Sequence, residues 1–379
     1  MTDLAPMQAF QDIPVVPLSV LSRHIACGGP IWPDFDRQVA ARHCRDGLPV
    51  DLCPERPTQT RALRHPAVWG GVLDPQFGHL VAEQLTRLPQ SVRERPDDIY
   101  LFATKPGQID ATPPEWIWQV LDWHGVPRRK VRLVDAALSV TDLRVAAQGE
   151  MLGSQPTAAA YLDLLDATMA RNGLRPDPAA VVFATRAGMV ARGLGGHAGE
   201  SYLADALTRA GVRVIDPGRL GIAEQMAIYA GARALVFSEG SAIHGRQLLG
   251  RVAQDIHILR RRPNQSIGAS QLAPRCRALH YHASAGRRLG ARMRGGGFRR
   301  DLTAALYDLD VVFALFGALG HDLRPHWDAA AYHQAVLVDL RGWLDNCTTA
   351  PDQLLQNLDL IADAGFGLEA PPATAALPH

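Results

Sequence analysis

The chain has 379 residues, which is enough for two domains with separate hydrophobic cores. Its net charge of +1 gives no global electrostatic signal for nucleic acid, and its 47% hydrophobic content excludes a disordered protein. The N-terminus lacks a signal-peptide pattern and no apolar run reaches about 18 residues, so we expect a cytoplasmic protein without a spanning helix. Five scattered cysteines without a CxxC pair predict reduced thiols and no metal site.

The first quarter of the chain gives a weak pattern followed by a clear one. Residues 1–60 are rich in Pro and Arg and poorly periodic, which predicts an irregular N-terminal arm with a short strand or two. The segment FGHLVAEQLTRL then predicts a helix on which His79 and Glu83, four residues apart, share one face. From spacing alone, a histidine that packs or caps at a helix start is the simplest interpretation.

Residues 61–175 carry the pattern of a first α/β domain. A strand is predicted at 98–104, and a helix opened by proline at 113–126. Two short strands follow within 131–146. A helix and a short linker then lead into the second half of the chain.

Residues 176–325 are predicted to form a second α/β domain. Between residues 181 and 260, four apolar runs alternate with amphipathic segments, with Gly or Pro at the breaks, which is typical of parallel βαβ units. Open sheets of this kind bind ligands at the carboxyl ends of their strands. Arg186 follows one such run and could hold a diphosphate through paired hydrogen bonds, the alternative being a surface salt bridge.

Two further places in this half attract attention. Glu224 and Gln225 lie in the first turn of a predicted helix, where an acidic residue also serves as an electrostatic cap. The segment SEGSAIHG is a predicted strand–turn–helix junction, where Gly240 permits close approach of a ligand and Ser241 can cap the helix. Free backbone N–H groups at such a helix start suit a phosphate or a sugar hydroxyl.

Two separated blocks together resemble glycosyltransferase family 61, most closely its bacterial, capsule-type branch. The first block is DPQFGHLVAEQLTRL and the second covers residues 186–260, including EQ and GSAIH. The resemblance implies a GT-B-like fold with two Rossmann-like domains facing a cleft, a nucleotide-sugar donor, inversion at the anomeric carbon and no essential metal. The chain departs from the family at Glu239, where the eukaryotic branch has His, and after Arg192, where the Arg-x-x-Asn pattern is broken.

The resemblance also implies roles for particular residues. His79 is the leading candidate for the general base, with Glu83 orienting or replacing it and Glu239 as a third candidate. The implied donor-binding residues are Arg186, Arg192, Glu224, Gln225, Gly240, Ser241, Ala242 and His244. The expected donor is UDP-linked, and no cofactor or metal is expected.

The last part of the chain supplies a basic segment and helices. Residues 286–300 are rich in Arg and Gly. They are interpreted as a flexible solvated loop, a grip on donor diphosphate, or a contact with anionic lipid of the inner membrane. The region 326–379 is expected to hold helices that pack back on the first domain, followed by a frayed tail.

The sequence therefore favours an inverting, metal-independent glycosyltransferase of bacterial surface polysaccharide synthesis that acts on a glycan or lipid-linked glycan. The alternative is a non-catalytic component of a polysaccharide assembly complex that binds a sugar nucleotide or a polysaccharide. A Rossmann oxidoreductase is disfavoured because no GxGxxG motif follows an early strand in either half.

Overall fold

The computed structural model describes residues 4–21, 25–104, 113–292, 298–348 and 351–368, and the strands in these ranges form four sheets. The strands are β1 (Gln8–Leu21), β2 (Ala26–Pro30), β3 (Cys44–Arg45), β4 (Leu48–Pro49), β5 (Asp51–Leu52), β6 (Arg61–Leu63), β7 (Ala67–Val72), β8 (Ile99–Ala103), β9 (Val131–Val134), β10 (Leu138–Val145), β11 (Ala179–Ala184), β12 (Gly196–Ala198), β13 (Arg213–Ile215), β14 (Ala232–Ser238), β15 (Asp255–Leu259), β16 (Ala278–His282), β17 (Ala285–Arg292) and β18 (Phe298–Tyr307). The helices are α1 (Phe77–His79), α2 (Leu88–Glu94), α3 (Glu115–His124), α4 (Ala159–Arg171), α5 (Glu200–Arg209), α6 (Ile222–Gly231), α7 (Ala269–Leu272), α8 (Leu309–Ala318), α9 (Ala329–Cys347) and α10 (Pro351–Asp363).

The first sheet is mixed and has the order β5-β2-β1-β10-β7-β8-β9, with β6 also paired to β10. Its strand β1 pairs antiparallel with both β10 and β2, so residues 8–21 and 26–30 of the expected irregular arm belong to this sheet. Asp12 has a φ of 52°, which resets the in–out alternation, and Pro14 and Pro17 interrupt it further. These features disrupt the alternating pattern, so the sequence does not reveal the strand although Ile13 and Val15 are buried.

The second sheet is entirely parallel and has the order β13-β11-β14-β15-β16. The predicted βαβ pattern is confirmed, since α5 connects β11 through β12 to β13 and α6 connects β13 to β14. Gly211, with a φ of 83°, follows the end of α5 as expected for a glycine at a helix C-terminus. The carboxyl ends of β11, β14 and β15 therefore meet at one sheet edge.

The two sheets share a hydrophobic core, and the described chain is mixed α/β. One cluster contains Val68 and Phe102 from the first sheet together with Val182 and Phe237 from the second. Helix α3 packs against α6 between the sheets, and α2 packs against α4. The indole Nε1 of Trp123 donates to the carbonyl oxygen of Leu248 at 3.0 Å. These contacts fix the position of one half against the other.

In the described part of the chain, the main contacts of the C-terminal helices are with the second half, whereas the sequence led us to expect packing on the first domain. Helix α9 packs on α5, β12 and β18, and α10 packs on β17 and α9. The apolar stripe of α9, which includes Leu340 and Trp343, shares a cluster with Ala198 and Leu306. The helices cover a face of the three-stranded sheet β12-β18-β17 that would otherwise be exposed, so the matching apolar surface lies in the second half.

The interpretation of residues 286–300 as a flexible loop is wrong, because β17 and β18 pair antiparallel across most of the segment. Residues 293–297 lie outside the described residues. Among the helices that the structure describes, none is both long and apolar enough to cross a membrane.

Candidate active site

The first site segment is the one predicted as a single helix from Phe77. It is instead one α-helical turn, α1, followed by a π-helical turn at Leu80–Gln84. The backbone N–H of Leu85 donates to the carbonyl of Leu80 at 3.0 Å, which is the i to i+5 bond of a π-turn. Such wide turns occur frequently at functional sites, and this one carries Glu83.

A cluster of charged side chains surrounds the carboxylate of Glu83, which is completely buried. Its Oε1 accepts from His79 Nδ1 and from Arg45 Nη2, the latter at 3.1 Å. Its Oε2 accepts from Arg45 Nε and lies 3.6 Å from His43 Nε2. The predicted pairing of His79 with Glu83 on one face is confirmed.

The electrostatics of this cluster keep Glu83 ionised. Burial by itself raises the pKa of Glu83, but hydrogen bonds from His43, His79 and Arg45 hold that pKa well below its usual range. The ionised carboxylate accepts a hydrogen bond from Nδ1 of His79, so Nε2 is the ring nitrogen that Glu83 does not bind. The His79 side chain is 25% exposed whereas that of Glu83 is 0% exposed, so His79 is the member of the pair that can touch a substrate.

The second site segment follows β14. The chain leaves that strand at Gly240 in an extended conformation and forms a 3-10 helix at Ser241–Leu248. Gly240 occupies the cap position, and no side-chain hydrogen bond caps this helix. The expected capping role of Ser241 is therefore wrong, because Ser241 lies inside the first turn. Ser241 is exposed and Ala242 is half-buried.

The two segments meet at Gly78. A Cβ atom added to Gly78 would lie 3.0 Å from Cδ2 of His244 and 3.4 Å from Cβ of Ser241. His244 is buried, its Nδ1 lies 2.7 Å from Oε1 of Gln247, and burial lowers its pKa. The structure thus brings the neighbour of His79 into contact with the segment that contains Ser241 and His244.

Arg186 lies at the carboxyl end of β11 and packs flat against Gly240. A Cβ atom at Gly240 would lie only 2.2 Å from Nη1 of Arg186. The Nη2 atom donates to the carbonyl of Gly195 at 3.1 Å, whereas Nε is buried and has no hydrogen-bond partner among the described residues. Burial lowers the pKa of Arg186. A buried cationic donor without a partner at a sheet edge is well suited to an anionic ligand.

Glu200 holds the backbone of Arg186 in place. Glu200 was not predicted as a site residue from the sequence. Its Oε1 accepts from the backbone N–H of Arg186 at 2.5 Å and from Thr185 Oγ1 at 2.8 Å, and its Oε2 accepts from Ser238 Oγ at 2.7 Å. Burial raises the pKa of Glu200. Its position in the first turn of α5 looks in the sequence like an ordinary acidic cap.

Glu239 is completely buried and both of its oxygens have protein donors. Oε2 accepts from the backbone N–H groups of Arg261 and Arg262 at 2.8 and 3.1 Å, and Oε1 accepts from Arg262 Nε at 2.7 Å. These contacts brace the loop after β15. A catalytic role for Glu239 stays a prediction.

Arg192 is exposed, and its Nη2 lies 2.8 Å from Sδ of Met189. It is close enough to Arg186 for its positive charge to add to the effect of burial in lowering the pKa of that side chain. The other two predicted donor-binding residues have their described contacts elsewhere. Glu224 is exposed in a separate cleft of about 510 Å³ between α3 and α6. Gln225 is buried and its Nε2 donates to the carbonyls of Pro217 and Leu220 at 2.8 and 3.0 Å, which holds the turn before α6.

Within the described ranges, no group of three or more His, Cys, Asp or Glu side chains is arranged to hold a metal ion. Residues 77–246 match the protein family described as Glycosyltransferase 61. The match begins in α1 and ends within the 3-10 helix, so it includes both segments that meet at Gly78. No curated protein gives a significant match.

Proposed function

Because this chain is a glycosyltransferase and belongs to family 61 over residues 77–246, we propose that it transfers a sugar from a nucleotide-sugar donor to a glycan acceptor with inversion. One observation carries the proposal. The His79–Glu83 pair and the cationic edge at Arg186 are joined by the contacts of Gly78 with His244 and of Gly240 with Arg186. A base and an anion-binding group are the two parts that such a transfer needs.

The donor site of this proposal is the carboxyl edge of the parallel sheet. The Nε of Arg186 donates to the diphosphate, and the bare Cα of Gly240 makes room for the guanidinium that packs against it. The first N–H groups of the 3-10 helix contribute further donors toward phosphate or sugar oxygens. Glu200 keeps the Arg186 backbone in place while the ligand binds.

The transfer step follows from this arrangement. The acceptor hydroxyl gives its proton to Nε2 of His79 while its oxygen attacks the anomeric carbon. The bond from that carbon to the diphosphate oxygen breaks on the opposite face, and the electron pair stays on the diphosphate, where Arg186 stabilises the charge. Attack opposite to the leaving group inverts the configuration, and no metal ion takes part.

The finer features of the proposal rest on the resemblance of the two segments to the bacterial branch of the family. We infer a GT-B-like arrangement in which the first half presents the acceptor and the second half presents a UDP-linked donor. The acceptor is a glycan or lipid-linked glycan of bacterial surface polysaccharide, such as capsule. The enzyme acts in the cytoplasm, and residues 286–300 contact the inner membrane.

A thermal-shift screen against UDP, GDP, CMP and dTDP, with and without Mg²⁺, tests the proposal. A ligand that binds only the folded state raises the melting temperature by mass action. We expect one nucleotide to raise it without metal, the Arg186→Ala variant to lose this shift, and the His79→Ala variant to keep it. A shift that requires Mg²⁺, or that survives in Arg186→Ala, would contradict the donor site.

A further inference from the structure

A short hairpin in the N-terminal region reaches the proposed base. Strands β3 and β4 are joined by Asp46 and Gly47, whose φ angles of 48° and 79° form a two-residue turn of the primed type. Oδ1 of Asp46 accepts from the backbone N–H and from Oγ of Ser154, each at 2.8 Å. The backbone N–H of Asp46 donates to the carbonyl of Leu152 at 2.9 Å. The hairpin is thereby anchored at its turn.

A second anchor ties the hairpin to the π-turn. The amide of Gln148 accepts from the backbone N–H of Cys44 at 2.6 Å through Oε1 and donates to the carbonyl of Glu83 at 3.0 Å through Nε2. The residue after Cys44 is Arg45. Its guanidinium is therefore presented to the Glu83 side chain by a backbone that is fixed at both ends.

We propose that Arg45 is a positioning residue of the transfer reaction, which fixes the Glu83 carboxylate and through its charge sets the pH range in which the enzyme is active. Arg45 contacts both oxygens of Glu83 and its Nη2 lies 3.4 Å from His79 Nδ1. Arg45 and His43 both precede the segment 77–246 that matches the family. The inference rests on the proposed role of His79 as the base.

The physical reason is the charge balance around the imidazole. The carboxylate of Glu83 places a negative charge next to the imidazole of His79. The positive charge of Arg45 balances it, because the guanidinium contacts both oxygens of Glu83 and its Nη2 lies 3.4 Å from His79 Nδ1. Two other titratable groups face the pair in the described part of the chain. His43 of the N-terminal segment lies beside Glu83, and His244 of the second half interacts electrostatically with both His79 and Glu83.

The experiment is a pH–rate profile of kcat/KM for sugar transfer in wild type, Arg45→Met, Arg45→Lys and the control Arg213→Met. Arg213 forms an exposed ion pair with Asp177 at 2.7 Å in the second half. In Arg45→Met we expect the acidic limb to move to higher pH by about one unit and turnover at neutral pH to fall about tenfold or more. Arg45→Lys keeps the charge and should leave the limb near its wild-type position. The control should match wild type throughout.

Several outcomes would overturn the inference. A loss of rate in Arg45→Met without movement of the limb would mean that Arg45 is only structural. An equal displacement in Arg45→Lys would exclude a charge effect. If Arg45→Met does not fold, an unchanged profile in Glu83→Gln would overturn the inference, since the cluster acts through this carboxylate. Undiminished turnover in His79→Ala would instead refute the proposed base, so the two failures are distinguishable.

Discussion

The packing of Arg186 on Gly240 predicts what a substitution of Gly240 by alanine will do. In Gly240→Ala the new methyl group would lie 2.2, 2.3 and 2.4 Å from Nη1, Cζ and Nε of Arg186. The guanidinium must therefore move by roughly 1 Å to reach ordinary van der Waals contact. Gly240 has a φ of 177°, which alanine adopts without strain, so the backbone has no reason to change. The substitution displaces the guanidinium without removing it.

The expected consequence is a loss of function with little loss of stability. A misplacement of about 1 Å in a reacting site can cost up to about a hundredfold in rate. We expect kcat/KM for the donor to fall by about ten- to a hundredfold, while the free energy of unfolding changes by less than about 1 kcal/mol because only a flexible side chain moves. Steady-state transfer assays and urea unfolding measure the two quantities.

A double-mutant comparison isolates the cause. In the Arg186→Ala background the methyl group has no guanidinium to displace, so Gly240→Ala should have almost no further effect. Gly317→Ala is a matched control, because nothing lies within 4 Å of the added Cβ atom. If Gly240→Ala lowers kcat/KM equally in the wild-type and Arg186→Ala backgrounds, displacement of the guanidinium is not the cause of the loss.

Three predictions concern stability. Glu150→Leu leaves buried Arg275 without its carboxylate partner at 2.5 Å, and urea unfolding should show a loss of about 3–5 kcal/mol. Gly231→Ala places a Cβ atom 1.9 Å from the carbonyl oxygen of Asp177, so it should cost at least about 1–3 kcal/mol because backbone must move. Burial lowers the pKa of His124 to about 3, below its unfolded value of about 6.5. The free energy of unfolding should therefore fall as the pH drops between these values. In urea titrations at pH 7 and pH 5, it should fall less for His124→Leu than for wild type.

The parts of the fold that the sequence predicts are those set by local patterns. Apolar runs with breaks identify the strands of the parallel sheet, and the carboxyl-end position of Arg186 follows from that order. The four-residue spacing of His79 and Glu83 predicts their contact even though the segment is π-helical rather than α-helical. Here the side chains still fall on one face, so the wrong helix type did not change the chemistry.

Contacts between distant parts of the chain escape such patterns. Arg45 reaches Glu83 across 38 residues, and nothing in its neighbourhood identifies that partner. The Asp46–Gly47 pair was a visible signal for a hairpin, but not for what the hairpin contacts. Glu200 is similar, because an acidic residue in a first helical turn is usually exposed and this one is buried under Arg186.

In the proposed reaction the base and the donor site are separate parts of one reaction centre. The most direct test of this arrangement is to measure donor affinity by calorimetry and nucleotide release in single turnover for His79→Ala and Arg186→Ala. We expect His79→Ala to bind the donor with wild-type affinity but, with acceptor present, to release nucleotide about 10²–10⁴-fold more slowly, whereas Arg186→Ala loses affinity for the donor. Wild-type turnover in His79→Ala, or wild-type donor affinity in Arg186→Ala, would contradict the proposal.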